Sequence, residues 1–172
     1  MKFVPWSLLL FHIFFFIGKI RAIPCPKEKP IELASHKFMF FNILHGGEER
    51  IFKIKSYIED QKVTFLAMSE LNHWKKEDLQ KFGDELGLSY TLFLSTKHGY
   101  HLGVASYYPL ILISKENDSF WHHGYIYVHV KQLNVGIFVT HLSPHNLIVR
   151  RWEASQILEI WQDTIPHVPL LV

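Results

Sequence analysis

The chain has 172 residues, 48% hydrophobic and 20% charged, which excludes a disordered or low-complexity polypeptide and allows one domain and little more. Its formal net charge of +2 is partly a property of the first 22 residues, because removing Lys2, Lys19 and Arg21 from the 18 Lys+Arg leaves 15 against 16 Asp+Glu, a net of −1. No basic field then remains to argue for a nucleic-acid partner.

Lys2 opens a short basic region, an apolar run from Leu8 to Ile17 is broken only by His12, and the small Ala22 precedes Ile23. That order and length describe a cleavable secretory signal over residues 1–22. Lys19 and Arg21 close the run short of the ~20 apolar residues a membrane span needs, so the expectation is a secreted chain with no stable span. Residues 23–35 read as an irregular lead-in rich in proline and charge, and 36–172 as the domain. Cys25 is the only cysteine, which in an oxidising compartment is a free thiol or half of a bridge to something outside this chain.

Phe38 to Leu44 is short, aromatic and stopped by Gly46-Gly47, a strand signature. Ile51, Ile54 and Ile58 fall at helical spacing. Val63 to Ser69 reads as a buried strand, and Leu79, Phe82 and Leu86 mark a second helix stopped by Gly87. Tyr90–Leu94, Leu102–Tyr107 and Pro109–Ser114 follow as strands, then Phe120–Lys131 and Val135–His141 as a pair turning at Asn134. On this reading His122 and His123 face opposite sides of a strand. Asn146 to Trp161 is a third helix with Ala154, Ile157, Leu158 and Trp161 inward, before a last apolar run from Val168. The order predicts an α/β fold, a layered sandwich of mixed sheets flanked by helices. Asn117-Asp118-Ser119 is an N-glycosylation acceptor in a polar stretch, so Asn117 is a candidate attachment site.

Four segments carry the chemistry. They are Phe40-Phe41-Asn42-Ile43-Leu44-His45-Gly46-Gly47, Ala67-Met68-Ser69-Glu70-Leu71, Gly99-Tyr100-His101-Leu102 running on to Ser106-Tyr107-Tyr108-Pro109, and Phe138-Val139-Thr140-His141-Leu142. In this order they resemble the endonuclease/exonuclease/phosphatase superfamily, which includes DNase I, abasic-site endonucleases and neutral sphingomyelinases. The resemblance runs from about His36 to Val172. It implies a DNase I-like fold that hydrolyses a phosphodiester or phosphomonoester with Mg²⁺, or Mn²⁺ in its place. It further implies that Glu70 holds the metal, Asn42 fixes the phosphate and the metal's surroundings, and His141 hydrogen-bonds the phosphate. A hard ion of this kind is often held by one or two carboxylates and water, and it polarises a phosphoryl oxygen.

Two positions depart from the family pattern. Tyr107 replaces a basic residue, with an expected change in substrate contact, and Val63 replaces an acid. The family's Gly-Asp-Phe-Asn and Ser-Asp-His segments are not in this sequence. The expectation is therefore the N-terminal part of such a domain, incomplete at its C-terminus, inactive by itself and exposing one apolar sheet face. The alternative is a non-catalytic secreted remnant or binding module. Arg150, at the start of the third helix, is a candidate for the substrate phosphate, beside the reading of a solvated helix face. His98-x-x-His101, His122-His123 and His141 with His145 invite zinc, but no cysteine or carboxylate completes a tetrahedral set in the sequence.

Overall fold

The computed structural model describes residues 36–117, 120–165 and 167–172. The expected signal segment, the expected lead-in with Cys25, and two of the three acceptor-motif residues, Asp118 and Ser119, lie outside the described residues.

Two four-stranded sheets face each other. The first has the order β1-β2-β4-β3, with β1 Phe38–Asn42, β2 Phe65–Ser69, β3 Tyr90–Leu94 and β4 Leu102–Ser106. The second has the order β5-β6-β7-β8, with β5 Ile111–Glu116, β6 Tyr125–Val130, β7 Val135–Thr140 and β8 Leu170–Leu171. Each is mixed: β1 and β2 run parallel, as do β7 and β8, and the remaining pairs are antiparallel. A parallel pair needs a crossover. Helix α1 (Ile51–Gln61) supplies it in the first sheet and α3 (Leu147–Thr164) in the second, while α2 (Lys76–Glu85) links β2 to β3.

The strands read as near-continuous apolar runs because both of their faces are buried. In β2, Phe65 and Ala67 point between the sheets, to Val104, Val128 and Ile137, while Leu66 and Met68 point outward to Ile54, Ile58, Leu79 and Phe82 of α1 and α2. In β6, Ile126 and Val128 point between the sheets, and Tyr125 and Tyr127 outward to Phe138 and Ile157. Such a side chain, fully buried, contributes about 1.5–3 kcal/mol. Among the described residues the expected open apolar sheet face is not found: helices cover the outer face of both sheets, and exposed large apolar side chains are scattered over helices and loops, such as Phe52, Ile148 and Phe120, and over edge strands, such as Phe40, Ile111 and Leu112.

Several boundaries shift from the sequence reading, each for a local reason. β6 begins at Tyr125 rather than Phe120, because Gly124 holds φ +72° and a Cβ there would meet the Glu116 carbonyl oxygen at 2.3 Å. β5 starts at Ile111, after Pro109 has passed without a ladder bond to give. α3 runs to Thr164, and its inner face is not the predicted one. Ile157 is buried and Trp161 half-buried, but Ala154 and Leu158 are exposed, and the position taken inward is Glu153, with no exposed surface.

Candidate functional site

The parallel register pairs Asn42 with Ser69, so the C-terminal ends of β1 and β2 set Asn42 beside Glu70. Asn42 Nδ2 donates to Glu70 Oε1 at 2.7 Å. Its Oδ1 accepts the Leu44 N–H at 2.9 Å, so the same amide also anchors the turn that leaves β1. His45 N–H points at Glu70 Oε2, at 3.4 Å. From the facing sheet, β7 ends at Thr140 and delivers His141, whose Nε2 stands 3.6 Å from Glu70 Oε1. Thr140 Oγ1 donates to the Gly124 carbonyl at 2.8 Å and fixes that strand end to the loop before β6. Asn42, Glu70 and His141, singled out in sequence, thus meet at one carboxylate.

The backbone here is held in unusual conformations. Leu44, His45 and Glu48 have φ of 53°, 53° and 38°, with Gly46 and Gly47 at 80° between them, and Glu70 itself has φ 60°. Left-handed backbone is uncommon for such residues and persists only where surrounding structure enforces it. The enforcement is visible: Gly46 N–H donates to the Glu70 carbonyl at 2.7 Å, Trp74 Nε1 to the Gly46 carbonyl at 2.9 Å, and Arg50 Nη2 to the Leu44 carbonyl at 3.0 Å. A Cβ at Gly46 would lie 2.3 Å from the Asn72 carbonyl oxygen.

Beyond the carboxylate lies a cleft of 310 Å³ in which Glu70 is the one carboxylate among the lining residues. Most of the rest of the lining is imidazole and phenol, from His45, Tyr100, His122, His123, His141 and His145, with Leu44 and Pro144 beside them. The His123 and His141 rings stack at 4.5 Å and 14°, and Tyr100 meets His123 edge-on at 4.9 Å. His122 and His123 do not face opposite sides of a strand; they sit in the loop before β6 with ring centroids 4.2 Å apart. Burial holds the His141 imidazole below its ordinary pKa, against the upward pull of Glu70. His123 is lowered to about 4, by burial first and then by the neighbouring histidines. Both are neutral at pH 7, and His141 can offer a neutral N–H to a phosphate oxygen.

Sequence reasoning missed four contributors. Tyr100 lay in a segment already singled out, and the pairing of β3 with β4 turns it into the cleft. His122 and His123 were misplaced with the strand boundary. Glu153 carried no signal at all. Its Oε1 accepts the His122 N–H and its Oε2 the Ser143 N–H, both at 2.8 Å, tying the two histidine-bearing loops to α3.

Other candidates fall elsewhere. Arg150 spends its guanidinium on the Ser143 and Pro144 carbonyls, Nε at 2.8 Å and Nη2 at 2.7 Å. Tyr107 follows Ser106, which pairs with Phe65 at the start of β2, so it is at the opposite end of the strand from Glu70 and outside the substrate cleft expected for it. His101 Nδ1 accepts the Thr96 N–H at 3.0 Å, while the His98 ring packs 5.4 Å from His122 and 6.1 Å from His123. Asn117, the glycosylation candidate, is exposed and donates from Nδ2 to the Ser95 carbonyl at 3.1 Å. No group of three or more His, Cys, Asp or Glu side chains among the described residues converges as a metal cage. One carboxylate at the mouth of a polar cleft suits a hard, largely hydrated ion better than zinc, which needs three or four protein ligands.

Solved structures share this architecture. An AP endonuclease from Archaeoglobus fulgidus superimposes with a TM-score of 0.51 and 17% identity over 76% of this chain and 52% of its own. This chain has the DNase I-like fold. TDP2 from C. elegans aligns over 73% of this chain and 42% of its own, with 15% identity and a TM-score of 0.49. The chain therefore spans about half the length of these structures. No protein-family model matches it, and neither does any curated protein by sequence.

Proposed function

We propose that this chain is part of a secreted, divalent-metal-dependent phosphoesterase domain, and that its own residues supply the metal- and phosphate-binding side of the site. The observation that carries the reading is the convergence of Asn42 Nδ2 at 2.7 Å and His141 Nε2 at 3.6 Å on one Glu70 oxygen, at the adjoining ends of three strands. Glu70 would hold Mg²⁺ or Mn²⁺, which when bound polarises a phosphoryl oxygen and draws charge from it. Asn42 orients that carboxylate and, by closing the Leu44 turn, shapes the cleft floor. His141, neutral and half-buried, donates to a phosphate oxygen as charge grows on it in the transition state. Arg150 would reach a phosphate only by giving up its two carbonyl partners. Secretion is supported by the leader pattern of residues 1–22 and by the acceptor at Asn117, where a glycan would displace the Ser95 contact.

One observation favours a second reading, a binding module without turnover: Glu70 is the one carboxylate among the residues lining the cleft. A single experiment addresses both readings. Mn²⁺ is titrated into the full chain by electron paramagnetic resonance, and hydrolysis of bis(p-nitrophenyl) phosphate is followed alongside. Millimolar Mn²⁺ binding that Glu70→Gln removes supports the proposal. Turnover that disappears with the same substitution assigns catalysis to this chain, and Glu70-dependent binding without turnover favours the module. Mn²⁺ binding unchanged in Glu70→Gln would refute both.

A further inference from the structure

On the outer face of the second sheet, a pocket of 360 Å³ lies against α3, lined by Phe120, Trp121, Tyr125 and Trp152 together with Glu116 and Gln156. The four rings form walls rather than a stack. Trp121 meets Trp152 at 5.9 Å and 61°, Phe120 meets Trp152 at 6.1 Å and 50°, and Trp121 meets Tyr125 at 4.7 Å and 56°. The floor is rigid: Trp121 and Tyr125 are buried and both pack on Phe138. The rim is open, with Phe120 76% and Trp152 37% exposed.

We propose that this pocket binds a small organic cation, a quaternary or methylated ammonium. Aromatic faces present negative potential to a cation within about 6 Å, and this attraction is strongest for indole and for a weakly hydrated cation. Glu116 also lines the pocket, where its carboxylate accepts the Asn117 N–H at 3.1 Å. The volume lies at the lower end of small-molecule sites. The site does not depend on the phosphoesterase reading, since Glu70 takes no part in it.

The test is an NMR titration of the ¹⁵N-labelled full chain with choline chloride and with its uncharged isostere 3,3-dimethylbutan-1-ol. Choline should shift the indole N–H signals of Trp121 and Trp152 saturably in the millimolar range and leave Trp74 in place. The neutral alcohol should bind about tenfold more weakly, and Phe120→Ala, exposed and safe for folding, should weaken choline about fivefold. Equal affinity for the alcohol would reduce the site to a greasy pocket and overturn the proposal. So would shifts that do not saturate, or a Phe120→Ala chain that binds choline as before. Sedimentation with phosphatidylcholine against phosphatidylglycerol vesicles separates the sources: selective pelleting with phosphatidylcholine assigns a lipid headgroup, and choline binding without pelleting assigns the free cation.

Discussion

Glu153 offers the most direct test of how the cleft is held. Its carboxylate has no exposed surface and makes two hydrogen bonds of 2.8 Å, to the backbone N–H of His122 and of Ser143. Hydrogen bonds to a charged partner contribute roughly 1.5–3 kcal/mol each, and an orphaned buried donor costs about as much again as a lost bond. Glu153→Ala takes the acceptor from both N–H groups and leaves a void, so a loss of about 3–5 kcal/mol is expected. Glu153→Gln keeps the volume but sets an NH₂ against one of the two N–H groups, for an expected loss of about 2–3 kcal/mol. Urea denaturation measures both from the shift in midpoint at constant slope. Amide hydrogen exchange supplies a local readout, because the glutamine variant should expose His122 or Ser143 while the sheet amides stay protected. A glutamine variant within 0.5 kcal/mol of the parent, with both amides still protected, would show that the carboxylate is not what joins these loops.

Acidification should weaken the fold. His123 and His141 are held neutral by burial, so the unfolded chain binds their protons first and stability falls as pH drops from about 6.5 toward 4; roughly 3 kcal/mol is expected for His123, read as a Tm decline that His123→Phe flattens. Asn42→Asp would place two carboxylates at the present 2.7 Å contact, and one should then retain its proton well above the ordinary range, visible in a ¹³C-carboxyl titration. Gly46→Ala forces a Cβ toward the Asn72 carbonyl at φ +80°, and a loss of roughly 2–3 kcal/mol by urea denaturation is expected.

The chemistry at the strand ends was legible through resemblance, because four segments stand in the order of the endonuclease/exonuclease/phosphatase superfamily and carry Asn42, Glu70 and His141. Hydropathy alone would not have found them, since Asn42 lies inside the apolar run Phe38 to Leu44 and a polar residue at a strand end is as readily a solvated one. The loops and the helix were not legible in the same way. Reading Phe120–Lys131 as one strand took four aromatic and imidazole residues, Phe120 to His123, for ladder positions, when the left-handed Gly124 breaks the run and leaves them in the loop before β6. In α3, Leu158 has the stronger claim to burial by hydropathy, yet it is exposed. Glu153 is inside because two backbone N–H groups from distant loops need an acceptor there, and no local pattern encodes that need. The aromatic pocket was hidden for the same reason, since Phe120 and Trp152 are remote in sequence and Trp152 reads as an ordinary helix position.

The parallel pairing of β1 with β2 has a consequence for how such a site can be lost. A one-residue slip in β2 would turn Leu66 and Met68 toward the inter-sheet core and Phe65 and Ala67 toward the helices, so the same shift that carries Glu70 away from Asn42 also spoils two hydrophobic cores. Variants that misalign the carboxylate by moving backbone therefore fail to accumulate as folded protein. Mutational drift can dismantle the site while leaving the scaffold intact only through side-chain replacement at a few positions, Asn42, Glu70 and His141 foremost. Those three identities are what a comparison across descendants of this chain should track.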